Sequence, residues 1–237
     1  MYQPDKALFR PAQHAEHQLI TAILNGTWSP GTSLPAERLL SEQLGITRQT
    51  LRELLQRLAG DGWLTIQHGK PTIVNDFWAR GGLGILKTLV NFTDYLPSPF
   101  VAHLLQVRTA LMPACAAASV PRHPDRFLAY LQAAETLGAS PEAFAVFDWG
   151  LQCLMARLSD NMIYPLILND FTPVYSVLGG KYFTLEKGRT ASAGYYQKLS
   201  RAIRKNVAVD GIVRQAMAES QEIWEESQQA MREGKTS

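Results

Sequence analysis

Much of what would mark a disulfide scaffold or a metalloenzyme is missing from this chain. Only two cysteines, Cys115 and Cys153, occur in 237 residues, and both lie in apolar stretches of helical pattern. A disulfide framework is therefore excluded, and buried free thiols of a reducing compartment are expected. All five histidines (His14, His17, His68, His103 and His123) fall in the first 123 residues, so a transition-metal site further on would lack its imidazoles. No metal is expected. Polybasic and acidic tracts are absent too: 23 Lys and Arg face 21 Asp and Glu, a formal charge of +2. Any nucleic-acid binding must come from where the cations sit, not from their number. With 46% hydrophobic residues, low-complexity disorder is excluded. The opening MYQPDKALFRPAQHAEHQL puts Asp5 and Glu16 where a leader peptide needs an apolar run. The longest apolar window, 101–120, holds His103, Arg108 and Pro113. An arginine in mid-span is costly in a membrane, so a core helix of a soluble cytoplasmic protein is expected.

What is present divides into two textures. Residues 12–25 place Ala15, Leu19, Ile20, Ile23 and Leu24 at helical spacing before Gly26. The turn TWSPGTSLP follows, then AERLLSEQLG, a short helix carrying Leu39, Leu40 and Leu44 and stopped by Gly45. Thr47 stands as an N-cap before RQTLRELLQRLAGDG, whose stripe is Leu51, Leu54, Leu55 and Leu58. The period then switches. Trp63–Ile66 and Pro71–Val74 are β-prone runs on either side of the turn Gln67-His68-Gly69-Lys70. Helix, helix, short turn, helix and hairpin make a winged helix-turn-helix.

The face of the third helix opposite its apolar stripe presents Thr47, Arg48, Gln49, Thr50 and Arg52 at the first turns. Such donors reach phosphates and base edges, with Arg matched to guanine and Gln to adenine, and a helix N-terminus attracts phosphate. Arg38 on the preceding helix is placed to clamp the backbone. The plainer reading, a solvated basic face beside Glu53, is disfavoured by the fixed turn ahead of the helix.

From about Asn75 onward the pattern is helical. Residues 76–82 read as a linker, with the aromatic pair Phe77-Trp78 as its pivot, and helices are expected near 83–92, 99–118, 124–138, 141–159, 161–184, 190–206 and 209–232. The expected architecture is mostly α: a winged helix-turn-helix over 1–75, a linker over 76–82, and an all-α bundle of about seven helices over 83–237 that encloses a pocket. Catalytic signals fail one by one. Gly62 to Gly69-Lys70 has six residues where a phosphate loop has four, and Pro71 where it needs Ser or Thr. Neither Gly81-Gly82-Leu83-Gly84 nor Gly179-Gly180-Lys181 follows a strand, and no nucleophile elbow occurs. Glu225-Glu226 lies on a polar helix and is most simply solvated. Asp148 is a potential metal ligand, but one helical turn on stands Gln152 and not His.

The run LPAERLLSEQLGITRQTLRELLQRLAGDGWLTIQHGKPT closely resembles the DNA-binding domain of the GntR family of transcription factors. GWLTIQHGKPT, LLQVRT, NMIYPLILN, YYQKLS and ESQEIW resemble the branch of that family that regulates fatty-acid metabolism. The resemblance implies a bacterial homodimer on a short palindromic operator, repressing fatty-acid degradation genes and activating unsaturated fatty-acid synthesis genes. It implies no cofactor and one effector, long-chain fatty acyl-CoA, which binds the C-terminal domain and releases the DNA. By matching position it implies DNA contacts at Arg38, Thr47, Arg48, Gln49, Thr50 and Arg52, with His68 and Gly69 at the wing tip. It implies ligand contacts at Arg108, Tyr182, Tyr196, Arg214, Ser220 and Trp224, with the CoA phosphates near Arg214. Buried aromatics at these positions also read as plain core. A buried arginine on an apolar helix asks for a partner.

The chain departs from that branch at Gln49, where the branch has Thr, and at Ala216-Met217, where it has Tyr-Gly. It is also shorter by two residues between YYQKLS and ESQEIW. Methionine at 217 is expected to narrow the pocket. The alternative readings are a GntR-type regulator of another small metabolite, such as a carboxylate, and an enzyme with a winged-helix appendage.

Overall fold

The computed structural model describes residues 11–97 and 99–233, apart from the side chain of Thr93. Asp5, on which the argument against a leader peptide partly rests, lies outside the described residues, as do both ends of the expected domains. The chain divides into two compact units between Leu96 and Pro97.

In the first unit α1 (Pro11–Leu24) buries Ala15, Leu19, Ile20 and Ile23, the stripe read from the sequence. Helix α2 (Glu37–Leu44) ends at Gly45, whose φ of 67° closes the turn. Gly45 N–H donates to the Glu42 carbonyl and Ile46 N–H to that of Ser41, which satisfies two carbonyls left free at the helix end. That turn launches α3 (Arg48–Asp61), which buries Leu51, Leu54, Leu55 and Leu58. Fully burying a leucine contributes roughly 1.5–3 kcal/mol, so this stripe fixes the rotation of α3 about its axis.

The wing is β1 (Leu64–Thr65) antiparallel to β2 (Ile73–Val74), with Leu64 opposite Val74. Both strands are shorter than the four-residue runs expected, and Ile66 is exposed beyond the ladder. The sheet gains an edge from a segment read only as turn: Ser33 bridges Ile73, and Leu34 N–H donates to the Thr72 carbonyl at 2.8 Å.

Residues 76–82 fold against this unit. Asp76 caps α4 (Phe77–Arg80) by accepting from Trp78 N–H at 3.1 Å. The Phe77 ring lies 4.6 Å from that of the buried Trp63. Gly62, at a φ of 95°, packs so closely on Gly81 that an added Cβ would sit 2.7 Å from the Gly81 Cα. Phe77-Trp78 is therefore no free pivot, and the chain leaves the unit at Leu96. The helix expected over 83–92 is broken into a 3-10 turn at Leu83–Ile85, α5 (Leu86–Leu89) and a 3-10 segment at Val90–Tyr95. Gly84 weakens helix propensity there by roughly 1 kcal/mol, and Phe92 leaves helical geometry at φ −126°.

The second unit is all helical: α6 (Phe100–Ser119), α7 (Pro124–Gln132), α8 (Pro141–Arg157), α9 (Ile163–Thr184), α10 (Glu186–Arg204) and α11 (Asp210–Glu233). Its core joins Met112 and Cys115 of α6, Phe127 of α7, Phe147 and Leu151 of α8, Phe183 of α9, Leu199 of α10 and Val213 and Met217 of α11. Phe100–Arg122 is apolar and long enough by composition to cross a membrane. In this fold Met112, Pro113, Cys115 and Ala116 of that stretch are buried in the helical core. Both cysteines are free thiols, and burial pushes the thiol of Cys115 up to about 12.

Candidate functional site

Two regions collect the residues singled out by the sequence, one in each unit. In the first, Thr47 Oγ1 accepts the Thr50 N–H at 3.1 Å and lies 2.8 Å from Thr50 Oγ1. This cap holds the first turn of α3 in place. It also commits the Thr47 hydroxyl to the helix itself. Arg48, Gln49 and Arg52 are exposed on the same turns. Arg52 Nε donates to Glu37 Oε2 at 2.7 Å, and Arg38 pairs with Glu42 at 3.0 Å on α2. Gln49 lies 3.4 Å from Glu53, a weak hydrogen bond. Arg48 has no ion pair or hydrogen bond among the described residues, so its guanidinium is free to meet an outside partner. At the wing tip Lys70 N–H donates to the Gln67 carbonyl at 3.2 Å, with Gly69 at a φ of 70°. His68, Gly69 and Lys70 are all exposed there. An exposed helix N-terminus with flanking cations, followed by a glycine-tipped hairpin, is suited to a polyanion with a groove.

In the second unit α6, α8, α9 and α11 enclose an apolar cavity of about 80 Å³. Leu104, Leu105, Leu111, Ile167, Phe171 and Leu178 supply aliphatic and aromatic wall. Four of the six ligand positions converge on it: Arg108, Tyr182, Ser220 and Trp224. Arg108 donates to Ser220 Oγ, which in turn donates to the Met217 carbonyl. The other two ligand positions lie elsewhere. Tyr196 is buried behind the wall, its hydroxyl donating to Asp148 Oδ1 at 2.8 Å. Arg214 is exposed on α11 and lines none of the cavities described here. Met217 does not reach the main cavity. It is buried in the core and lines a neighbouring space of only about 10 Å³, together with Ala216.

The sequence reading missed the polar centre behind this wall. Asp148 is 5% exposed and accepts three hydrogen bonds: from Tyr196, from Tyr175 at 2.6 Å and from Gln152 Nε2 at 2.6 Å. Burial, then the Asp148 charge, raises Tyr175 and Tyr196 well above the ordinary phenol range, so both stay protonated as donors. Two polar residues one turn apart on an apolar helix, Asp148 and Gln152, were the signal available. Asp148 is thus occupied by hydroxyl and amide donors. Among the described residues no group of three His, Cys, Asp or Glu side chains is placed to hold a metal ion.

A winged helix-turn-helix in one unit and an apolar cavity in a helical second unit define a DNA-binding regulator with an effector domain. Residues 11–74 match the family model for bacterial regulatory proteins of the gntR family, and residues 75–235 match that for the FadR C-terminal domain. The chain is 42% identical over 220 residues to a "Fatty acid metabolism regulator protein" of Enterobacter sp. (strain 638), covering 92% of each. It is 41% identical over 223 residues to that of Klebsiella pneumoniae subsp. pneumoniae, 93% of each, and 43% over 221 residues to that of Escherichia coli O9:H4, 92% of each. A structure titled for Lar, which controls expression of the Listeria monocytogenes agr system, aligns with a TM-score of 0.59 at 14% identity. It covers 92% of this chain and 96% of that one, and the likeness is one of fold. The chain belongs to the GntR family, in the branch with the FadR C-terminal domain, and is a DNA-binding regulator of fatty-acid metabolism.

Proposed function

We propose that this regulator represses fatty-acid degradation genes and activates unsaturated fatty-acid synthesis genes, bound in the cytoplasm as a homodimer to a palindromic operator. Long-chain fatty acyl-CoA is its effector and releases it from DNA. The reading assigns no catalysis, cofactor or metal to the chain. The observation that carries it is the apolar cavity with the half-buried Arg108 in its wall. Hydrocarbon fills such a wall favourably, and the guanidinium supplies a donor for a carbonyl at the head of the chain. The free cavity is small for a long chain, so binding must spread the helices around it. A ligand that favours the spread form over the DNA-competent form shifts the population by that difference in affinity. A displaced winged domain no longer matches the spacing of two half-sites.

The test is fluorescence anisotropy of labelled operator DNA at fixed salt, titrated with oleoyl-CoA and separately with free CoA. Salt is held constant because phosphate contacts make the affinity ionic-strength dependent. Release by oleoyl-CoA and not by CoA is the expected result. Undisturbed binding in both titrations discards the effector and keeps the DNA-binding regulator. A second reading, a small carboxylate as effector, is favoured by one observation: about 80 Å³ beside a half-buried arginine suits a compact acid better than a long chain. Short fatty acids in the same titration separate the two.

A further inference from the structure

The cavity holds a mismatch that a plain acyl chain does not resolve. Gln152 is 2% exposed and belongs to the cavity wall. Its Nε2 donates to Asp148 Oδ2 at 2.6 Å. That contact decides which way the amide faces: a carboxylate already taking two tyrosine hydroxyls only accepts, so the nitrogen must face it and the oxygen must face away. Gln152 Oε1 is then buried with no donor among the described residues. On the same wall Arg108 has a buried Nε that lacks an acceptor, and the buried Tyr182 hydroxyl is also without a hydrogen-bond partner among the described residues. A buried polar atom left without a partner is destabilising, and an oriented pair of this kind marks what a ligand must bring.

The two needs differ. Arg108 requires an acceptor, which the carbonyl of any acyl thioester offers. Gln152 requires a donor, and an unsubstituted alkyl chain has none. The amide N–H groups of the CoA carrier are donors, but apart from Ser220 and the Tyr182 hydroxyl the remaining wall is aliphatic and aromatic and suits the chain instead. Extending the effector reading above, we infer that the ligand of this cavity is a hydroxylated fatty acyl chain, its hydroxyl donating to Gln152 Oε1. Sites built to pair with a substrate hydroxyl discriminate strongly against the analogue without one, because the protein atom is left unpaired. Asp148, Tyr175 and Tyr196 act here as positioning residues, holding the amide in its one useful orientation.

Trp149 and Trp224 line the cavity, so intrinsic fluorescence reports its occupation in the full-length protein. The ligands are 3-hydroxyhexadecanoyl-CoA and 10-hydroxyoctadecanoyl-CoA, each against the unsubstituted thioester of equal length. At least one hydroxylated chain should bind about tenfold or more tightly than its parent. Gln152→Met, similar in volume but without the amide, should erase that preference, so that the two members of each pair bind with equal affinity. Equal affinities within each wild-type pair overturn the inference and leave acyl-CoA as effector. A preference that persists in Gln152→Met overturns it as well. If no thioester binds a chain whose circular dichroism shows it folded, the effector reading fails and takes this inference with it. Should Gln152→Met not fold, the paired wild-type comparison decides alone.

Discussion

Arg48 and Arg52 stand four residues apart on one helix, yet the structure separates their roles. Arg52 is held by Glu37 in an exposed ion pair, an interaction worth below about 1 kcal/mol and readily exchanged for a phosphate. Arg48 need break no contact to meet an outside partner. Arg48→Ala should therefore weaken operator binding by about 1–3 kcal/mol, some tenfold to a hundredfold, while leaving effector affinity unchanged. Anisotropy measures the first quantity and tryptophan fluorescence the second. A parallel loss of both would argue that the two sites are not separate. These residues were legible from sequence because a helix periodicity of 3.6 and a fixed preceding turn assign each one to a face. Arg214 was not. Nothing within one helix reveals whether its polar face borders a cavity, and only the packing of α11 shows this arginine in solvent.

At the level of the element, α3 depends on chemistry spread over a few residues. Gly45 ends α2 at a positive φ, and Thr47 opens α3 through its hydroxyl. Thr47→Ala should cost about 1 kcal/mol of stability, and Thr47→Ser should recover most of it. Urea unfolding followed by circular dichroism checks both variants. If the alanine variant loses operator affinity and keeps its stability, the hydroxyl acts on DNA rather than as a cap. The segment 83–92 shows the opposite case. Its apolar residues fit a helical period, but Gly84 near its start and the turn at Phe92 divide it into short pieces. Its Lys87 lies 3.7 Å from Asp61 at the end of α3, and Phe92 packs 4.7 Å from the ring of His17. Tertiary contact outweighs a weak local preference when only four residues per helix are at stake.

For the molecule as a whole, the buried tyrosines of the helical unit set an upper limit of pH. Burial pushes Tyr130 and Tyr182 up to about 12 from an ordinary value of 10, and raises Tyr175, Tyr195 and Tyr196 as well. Each phenol ionises first in the unfolded chain, so the stability tied to it is complete below pH 10 and falls as pH rises towards 12. The urea midpoint should hold steady from pH 7 to 9 and drop steeply between pH 10 and 12. Tyr130→Phe, which removes one such group and its 2.9 Å hydrogen bond to the Phe147 carbonyl, should make that drop shallower. An unchanged slope would place the titration elsewhere.

The amino-acid order by itself determined the helices of the winged unit, the mostly helical remainder and the exposed cations at the start of α3. All of these follow from neighbours within about one or two turns, where periodicity, caps and turn residues act. Only the tertiary structure decided that 76–96 belongs with the winged unit, through Trp63 against Phe77 and Gly62 against Gly81. It alone decided which ligand positions meet. Arg108 and Ser220 are 112 residues apart in the chain and share one cavity wall, while Tyr196 and Arg214 do not reach it. The buried acceptor of Gln152 was equally hidden, because the direction of an amide depends on what its partner helices bring to it and not on its neighbours in the chain.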